Sequence, residues 1–86
     1  MNIALDYDNT YTADPALWAQ FIALAKARGH DIRIVTARSA AEKGDLETIP
    51  VIYCDRVSKR RIAAAVGFHV DIWIDDRPQA VDNPGG

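Results

Sequence analysis

No stretch of the 86-residue chain approaches the roughly 18 consecutive apolar residues that a membrane-spanning helix needs. Its single cysteine, Cys54, can close no internal disulfide and build no cysteine-rich zinc site, which fits a reducing compartment. The first residues, Met1-Asn2-Ile3-Ala4-Leu5-Asp6, carry no cationic segment and reach an acid too soon for a secretory signal. A cytoplasmic location is therefore expected. The length leaves room for one core and no second one. Neither a disordered tail nor a low-complexity linker fits a chain that is 49% hydrophobic and 26% charged. A net charge of −2 gives no broad positive field for a polyanion. Glutamate is almost missing: of 12 acidic residues only Glu42 and Glu47 are glutamate. Helix surfaces favour glutamate, whereas aspartate favours caps, turns and sites, so each aspartate position carries information.

What is present alternates between strand and helix. Ile3-Ala4-Leu5 is a short apolar run that stops in Asp6-Tyr7-Asp8-Asn9-Thr10. Asp14-Pro15 supplies an N-cap and a proline at the first helical position, and Leu17, Trp18, Phe21, Ile22, Leu24 and Ala25 recur at helical spacing. This predicts a helix over 15–28, ended by Gly29. Strands are predicted at 32–36, 50–54 and 70–74. Ser39-Ala40-Ala41-Glu42 matches a capping box and starts a short helix, its extent blurred by Gly44 and Asp45. Ser58 caps a further helix through Val66, with Ile62, Ala65 and Val66 inward and Gly67 as terminator. Residues 83–86 read as a frayed tail, which leaves 1–82 as one domain.

Strands separated by helices imply right-handed crossovers and a parallel sheet covered on both faces, a three-layer α/β fold of about four strands. The carboxyl ends of such strands share one edge, where ligands bind. Asp6, Asp8, Thr36, Arg38, Asp55, Asp75 and Asp76 all fall at strand exits. Asp6 and Asp8 are two apart, so strand alternation points both carboxylates one way and Tyr7 the other. Two close carboxylates repel unless a cation intervenes. With Asp75 and Asp76 they form an oxygen-rich set suited to Mg²⁺. Lys59, Arg38 and Arg77 stand near the same edge as partners for an anionic substrate. Acids, a divalent cation, a hydroxyl and a lysine are the parts that phosphoryl transfer requires.

In order along the chain, Asp6-Tyr7-Asp8-Asn9-Thr10, Thr36 after Ile32-Arg33-Ile34-Val35, Lys59, and Asp75-Asp76 after Asp71-Ile72-Trp73-Ile74 resemble the four motifs of the haloacid dehalogenase (HAD) superfamily. The resemblance spans residues 3–78. It implies a Rossmann-like sheet of order 3-2-1-4 and a Mg²⁺-dependent phosphomonoester hydrolase working through an aspartyl-phosphate. By that resemblance Asp6 is the nucleophile, and Asp8 protonates the leaving group and then deprotonates water. Thr36 holds a phosphoryl oxygen, and Lys59 neutralises charge on nucleophile and phosphoryl group. Thr10 braces the turn that carries Asp8 and is placed with the substrate-binding residues; Arg38 and Arg77, outside the motifs, read equally as substrate contacts or as surface ion pairs. By the same resemblance Mg²⁺ sits between Asp6, the Asp8 backbone carbonyl and an acidic residue of the final pair, Asp75 being the first choice over Asp76. The superfamily's dehalogenases lack a second aspartate, so Asp8 selects phosphatase chemistry. Asn9 stands where the superfamily usually has glycine, and it tolerates the same left-handed backbone. The segments after Thr10 and Thr36 are too short for a cap domain, which implies a site open to bulky substrates or covered by a second copy in a homodimer.

The remaining polar residues have plainer readings. His30 and His69 each follow a helix-ending glycine and belong to the opposite sheet edge. Cys54, Trp18 and Trp73 read as core. Asp55 reads as a helix-leading turn. The run Lys59-Arg60-Arg61 reads as a solvated helix face, its alternative being contact with a nucleic-acid phosphate. Two other functions stay open: a nucleic-acid end-processing phosphatase, and a non-catalytic phosphate-binding module that keeps the fold.

Overall fold

In a computed structural model, which describes residues 1–42 and 49–82, the chain folds as strand, helix, strand, strand, helix, strand. The elements are β1 (Asn2–Leu5), α1 (Pro15–Ala27), β2 (Asp31–Thr36), β3 (Val51–Tyr53), α2 (Lys59–Ala65) and β4 (Ile72–Ile74). Short 3-10 turns occupy Tyr11–Ala13, Ala40–Glu42 and Pro78–Val81. The four strands form one parallel sheet in the order β3-β2-β1-β4. This is a small Rossmann-like α/β fold. No helix among the described residues is long and apolar enough to cross a membrane.

The two helices cover opposite faces because strand side chains alternate. Ile3, Leu5, Ile32 and Ile34 pack with Ile22 and Ala25 of α1. Ala4, Val35 and Ile52 pack with Cys54, Ala63 and Phe68 on the α2 side. Ile3 aligns with Ile32 of β2 and with Ile72 of β4, so β1 lies at the centre of the sheet, buried on both faces. A central strand of this kind reads as an unbroken apolar run.

The helix signals act where the sequence places them. Asp14 caps α1 by accepting the N–H of Leu17 at 3.2 Å. Ser58 caps α2 by accepting the N–H of Arg61 at 3.3 Å. Gly29 and Gly67 follow the helices at φ 84° and 80°, a region glycine enters without steric cost.

Several expectations need correction. Only Ile22 and Ala25 of α1 are buried, with Trp18 and Phe21 half-buried beside them, while Leu17 and Leu24 are exposed. Positions 18, 21, 22 and 25 make one face; 17 and 24 lie a turn-fraction off it, toward the open flank of β4. In α2 the inward residues are Lys59, Ile62 and Ala63, whereas Ala65 and Val66 face solvent. Strands β3 and β4 are shorter than 50–54 and 70–74. The capping box closes, with Glu42 accepting the N–H of Ser39 at 3.1 Å. The extent of its helix beyond Glu42, and the tail at 83–86, lie outside the described residues.

Candidate active site

All four strands run the same way, so their carboxyl ends open onto one edge, and β1 and β4 are neighbours there although their flanking helices lie on opposite faces. This is the crevice where parallel α/β sheets bind ligands. Pairing of β1 with β4 continues one residue past the strand: the Asp6 N–H donates to the Ile74 carbonyl at 2.9 Å. Asp6 is thereby set beside Asp75 and Asp76. The chain then turns back tightly. Tyr11 N–H reaches the Asp6 carbonyl at 3.2 Å, and Asn9 takes a left-handed φ of 63°. The turn brings Thr10 underneath, where its buried hydroxyl donates to Asp6 Oδ2 at 3.0 Å.

Lys59, the first residue of α2, points inward rather than to solvent. Its Nζ donates to Asp6 Oδ1 at 2.8 Å and to Asp75 Oδ2 at 2.6 Å, with only 4% of the side chain exposed. Burial would strip this ammonium of its proton, but the hydrogen bonds and charges of Asp6 and Asp75 prevail, and its pKa is raised. Burial also raises the Asp6 carboxyl, to about 6, against the opposing pull of Lys59 and with the help of Asp76 and Asp75. Oxygens of Asp6, Asp75 and Asp76 lie within 4.8 Å of one another. Among the described residues three carboxyl groups gather here around one buried ammonium, an excess of acid over base on this floor. Hard oxygen donors with surplus negative charge match Mg²⁺ better than a thiolate- or imidazole-loving metal.

Around this floor lies a cavity of about 400 Å³ lined by Asp6, Asp8, Asn9, Ala37, Arg56, Val57, Lys59, Asp75, Asp76, Arg77 and Ala80. Asp75 is tied on both sides, by Lys59 and by the N–H of Arg77 at 2.9 Å. Asp76 is exposed and, among the described residues, accepts only a 3.4 Å contact from Thr10. Thr36 is buried at the end of β2, and its Oγ1 accepts the N–H of Arg38 at 3.2 Å. With that lone pair used, its hydroxyl proton has no protein acceptor among the described residues and is left to donate.

The structure brings Asp6, Thr10, Lys59, Asp75 and Asp76 into direct contact and places Asp8 and Arg77 on the same cavity. Asp8 departs from the expectation of a shared direction with Asp6. Its carboxylate is outside the group of three and accepts both Nε and Nη2 of Arg38, at 2.9 and 2.7 Å. Strand geometry ends at Leu5, so alternation cannot carry Asp8 alongside Asp6. As a metal ligand only the Asp8 carbonyl remains apt; it accepts no backbone N–H among the described residues. Thr10 bridges the turn that contains Asp8, its hydroxyl donating to Asp6 at 3.0 Å with a longer 3.4 Å contact to Asp76.

Arg56 was not signalled as a site residue. It follows Asp55 after β3, both at left-handed φ (48° and 60°), and its guanidinium pairs with Glu42 at 2.7 and 2.9 Å on the cavity rim. Its position directly after a strand exit was the available clue. The run Lys59-Arg60-Arg61 does not make a basic patch: Lys59 is buried and Arg60 is held by Asp82 at 2.7 Å and lies over Trp73. His30 takes the Met1 amino group at 2.8 Å on the opposite edge, and the buried Cys54 thiol is pushed up to about 11 by desolvation. Comparisons with protein-family models, curated proteins and solved structures find no match for this chain.

Proposed function

We propose that this chain is a Mg²⁺-dependent phosphomonoester hydrolase of the HAD type, working through an aspartyl-phosphate on Asp6. The observation that carries the reading is the buried Asp6 carboxylate, gripped by Lys59 and Thr10 beside two further aspartates at a cavity. A buried carboxylate that must remain ionised needs such partners, and that is the demand placed on a nucleophile. Asp6, the Asp8 carbonyl and Asp76 would hold the metal, with Asp75 engaged by Lys59 and Arg77. The bound ion would offset the charge of the phosphoryl oxygens and of the carboxylates.

In the first step an Asp6 oxygen attacks phosphorus, the bond from phosphorus to the ester oxygen breaks, and Asp8 gives its proton to the departing alkoxide. In the second, water attacks the same phosphorus and yields its proton to Asp8. The bond from Asp6 to phosphorus breaks, inorganic phosphate leaves, and both carboxyl groups return to their starting state. Lys59 compensates charge on Asp6; Thr36, buried and absent from the cavity lining, supports the Arg38 N–H at the end of β2.

A small-molecule phosphate ester suits the cavity better than a nucleic-acid end, because the basic triplet that suggested a phosphate track is dispersed. The test is phosphate release from aryl, sugar, nucleotide and end-phosphorylated oligonucleotide substrates, with and without Mg²⁺, beside Asp6→Asn. Metal-dependent release that Asp6→Asn abolishes is the expected result. An Asp6→Asn protein with wild-type turnover would sink the mechanism, and folded, Mg²⁺-binding protein that releases nothing would indicate a phosphate-binding module.

A further inference from the structure

Arg38 follows Ala37 and pairs with Asp8, both of which line the cavity, but does not line it itself. Three of the five guanidinium N–H groups already have protein acceptors. Nε and Nη2 fork onto the two oxygens of Asp8 at 2.9 and 2.7 Å, and Nη1 donates to the Glu42 carbonyl at 2.9 Å. The planar cation lies over the Tyr7 ring, 5.0 Å from its centre. All three nitrogens thus have protein acceptors, and one face of the group is covered. We infer that Arg38 is a positioning residue that fixes the Asp8 carboxylate for proton transfer, and that it does not bind substrate. The inference rests on the phosphohydrolase reading above.

Asp8 needs such a holder. Its side chain is 49% exposed, and it lies in a turn beyond β1, so neither packing nor strand geometry selects its rotamer. A bidentate fork fixes both carboxylate oxygens in one plane, which a single-point contact cannot do. The fork is itself anchored from two segments. Tyr7 supports it from the β1 exit, and the Glu42 carbonyl holds it from the turn after β2. That turn is closed by Ser39 N–H and Oγ on Glu42 at 3.1 and 3.0 Å, and by the Arg56–Glu42 pair. Asp8 is therefore placed by the second strand exit as much as by its own.

The two roles for Arg38 leave different kinetic marks. A positioning residue matters most where the Asp8 proton matters most, in esters whose alkoxide is a poor leaving group. A substrate contact affects every phosphate ester alike and raises KM. The experiment compares Arg38→Met, Arg38→Lys and wild type on a matched alkyl and aryl phosphate, with thermal unfolding recorded for each protein. In Arg38→Met, kcat for the alkyl ester is expected to fall about 10²-fold, as for a catalytic group displaced by about an ångström. The fall for the aryl ester is expected to be at least about tenfold smaller, and KM to stay within about twofold. Arg38→Lys keeps the charge without the fork and should fall between. The ion pair is part-exposed, so neither variant should unfold the chain.

Equal losses on both esters with a raised KM would make Arg38 a substrate contact and overturn the inference. Equal losses with an unchanged KM would make it scaffold and overturn it too. Wild-type protein that turns over neither ester would remove the hydrolase reading and this inference with it, so the wild-type rates tell the two failures apart.

Discussion

Replacing Lys59 with methionine tests the electrostatic core of the site without touching a carboxylate. Methionine keeps the apolar stem and deletes the ammonium, whose side chain is 4% exposed and bonded to Asp6 and Asp75 at 2.8 and 2.6 Å. Removing one partner from a buried ion pair costs about 3–5 kcal/mol, mostly because the abandoned charge stays desolvated. Here two carboxylates are abandoned, with Asp76 adding repulsion. The Asp6 carboxyl can escape its share of the penalty by taking a proton. Asp6 is already pushed up to about 6 with Lys59 in place, and losing the lysine pushes it further in the same direction. The loss is therefore expected to be about 3–5 kcal/mol at pH 7.5 without divalent cations, and only about 1–2 kcal/mol at pH 5, where lost neutral hydrogen bonds dominate. For a domain of this size, the larger figure lowers Tm by roughly 12–40 °C. Paired thermal melts of wild type and Lys59→Met at the two pH values measure it. A loss below about 1 kcal/mol at pH 7.5, or the same loss at both pH values, would refute the reasoning.

Asp6 itself should make the metal-free protein pH-dependent. A carboxyl raised from 3.8 to about 6 binds its proton more tightly in the folded state, so its contribution is full below pH 4 and is lost as pH climbs through 6. The loss amounts to about 3 kcal/mol, read as the slope of stability against pH in wild type minus that in Asp6→Asn, and Mg²⁺ should flatten it. Thr10→Val removes the hydroxyl that donates to Asp6 Oδ2 at 3.0 Å while keeping the shape. It should cost about 1–2 kcal/mol by urea unfolding and lower turnover as well; unchanged stability would mean that water replaces the hydroxyl.

The sheet was legible because each strand is an apolar run that ends in polar residues, and parallel pairing then puts those endings on one edge. The order 3-2-1-4 was not legible from periodicity, since register between strands is a tertiary matter; the family resemblance supplied it, and the fold has it. Helix faces were read less well. Leu17 and Leu24 fit a helical apolar pattern, yet α1 presents a narrower stripe to a sheet of four strands than to a wider one, and both residues remain exposed. Lys59 reads as a first-turn surface lysine by every local rule. Only the carboxylates on two other strand exits make its burial affordable, and no local pattern records them.

The displacement of Asp8 joins these points. Spacing of two at a strand end places Asp6 and Asp8 side by side only while the chain stays extended, and β1 stops at Leu5. After Asp6 the backbone bends through Asn9 at φ 63°, so the two acids part company. Asp6 goes to the buried floor, where Lys59 and Thr10 hold it. Asp8 goes to the rim, where Arg38 holds it. On the proposed mechanism the two acids take different roles, Asp6 as nucleophile and Asp8 exchanging a proton with leaving group and water. A continuous strand would have given them one environment and forced them to compete for one proton. On that mechanism the turn divides the labour, and Asn9, at a left-handed φ of 63°, is the residue the sequence supplies for it.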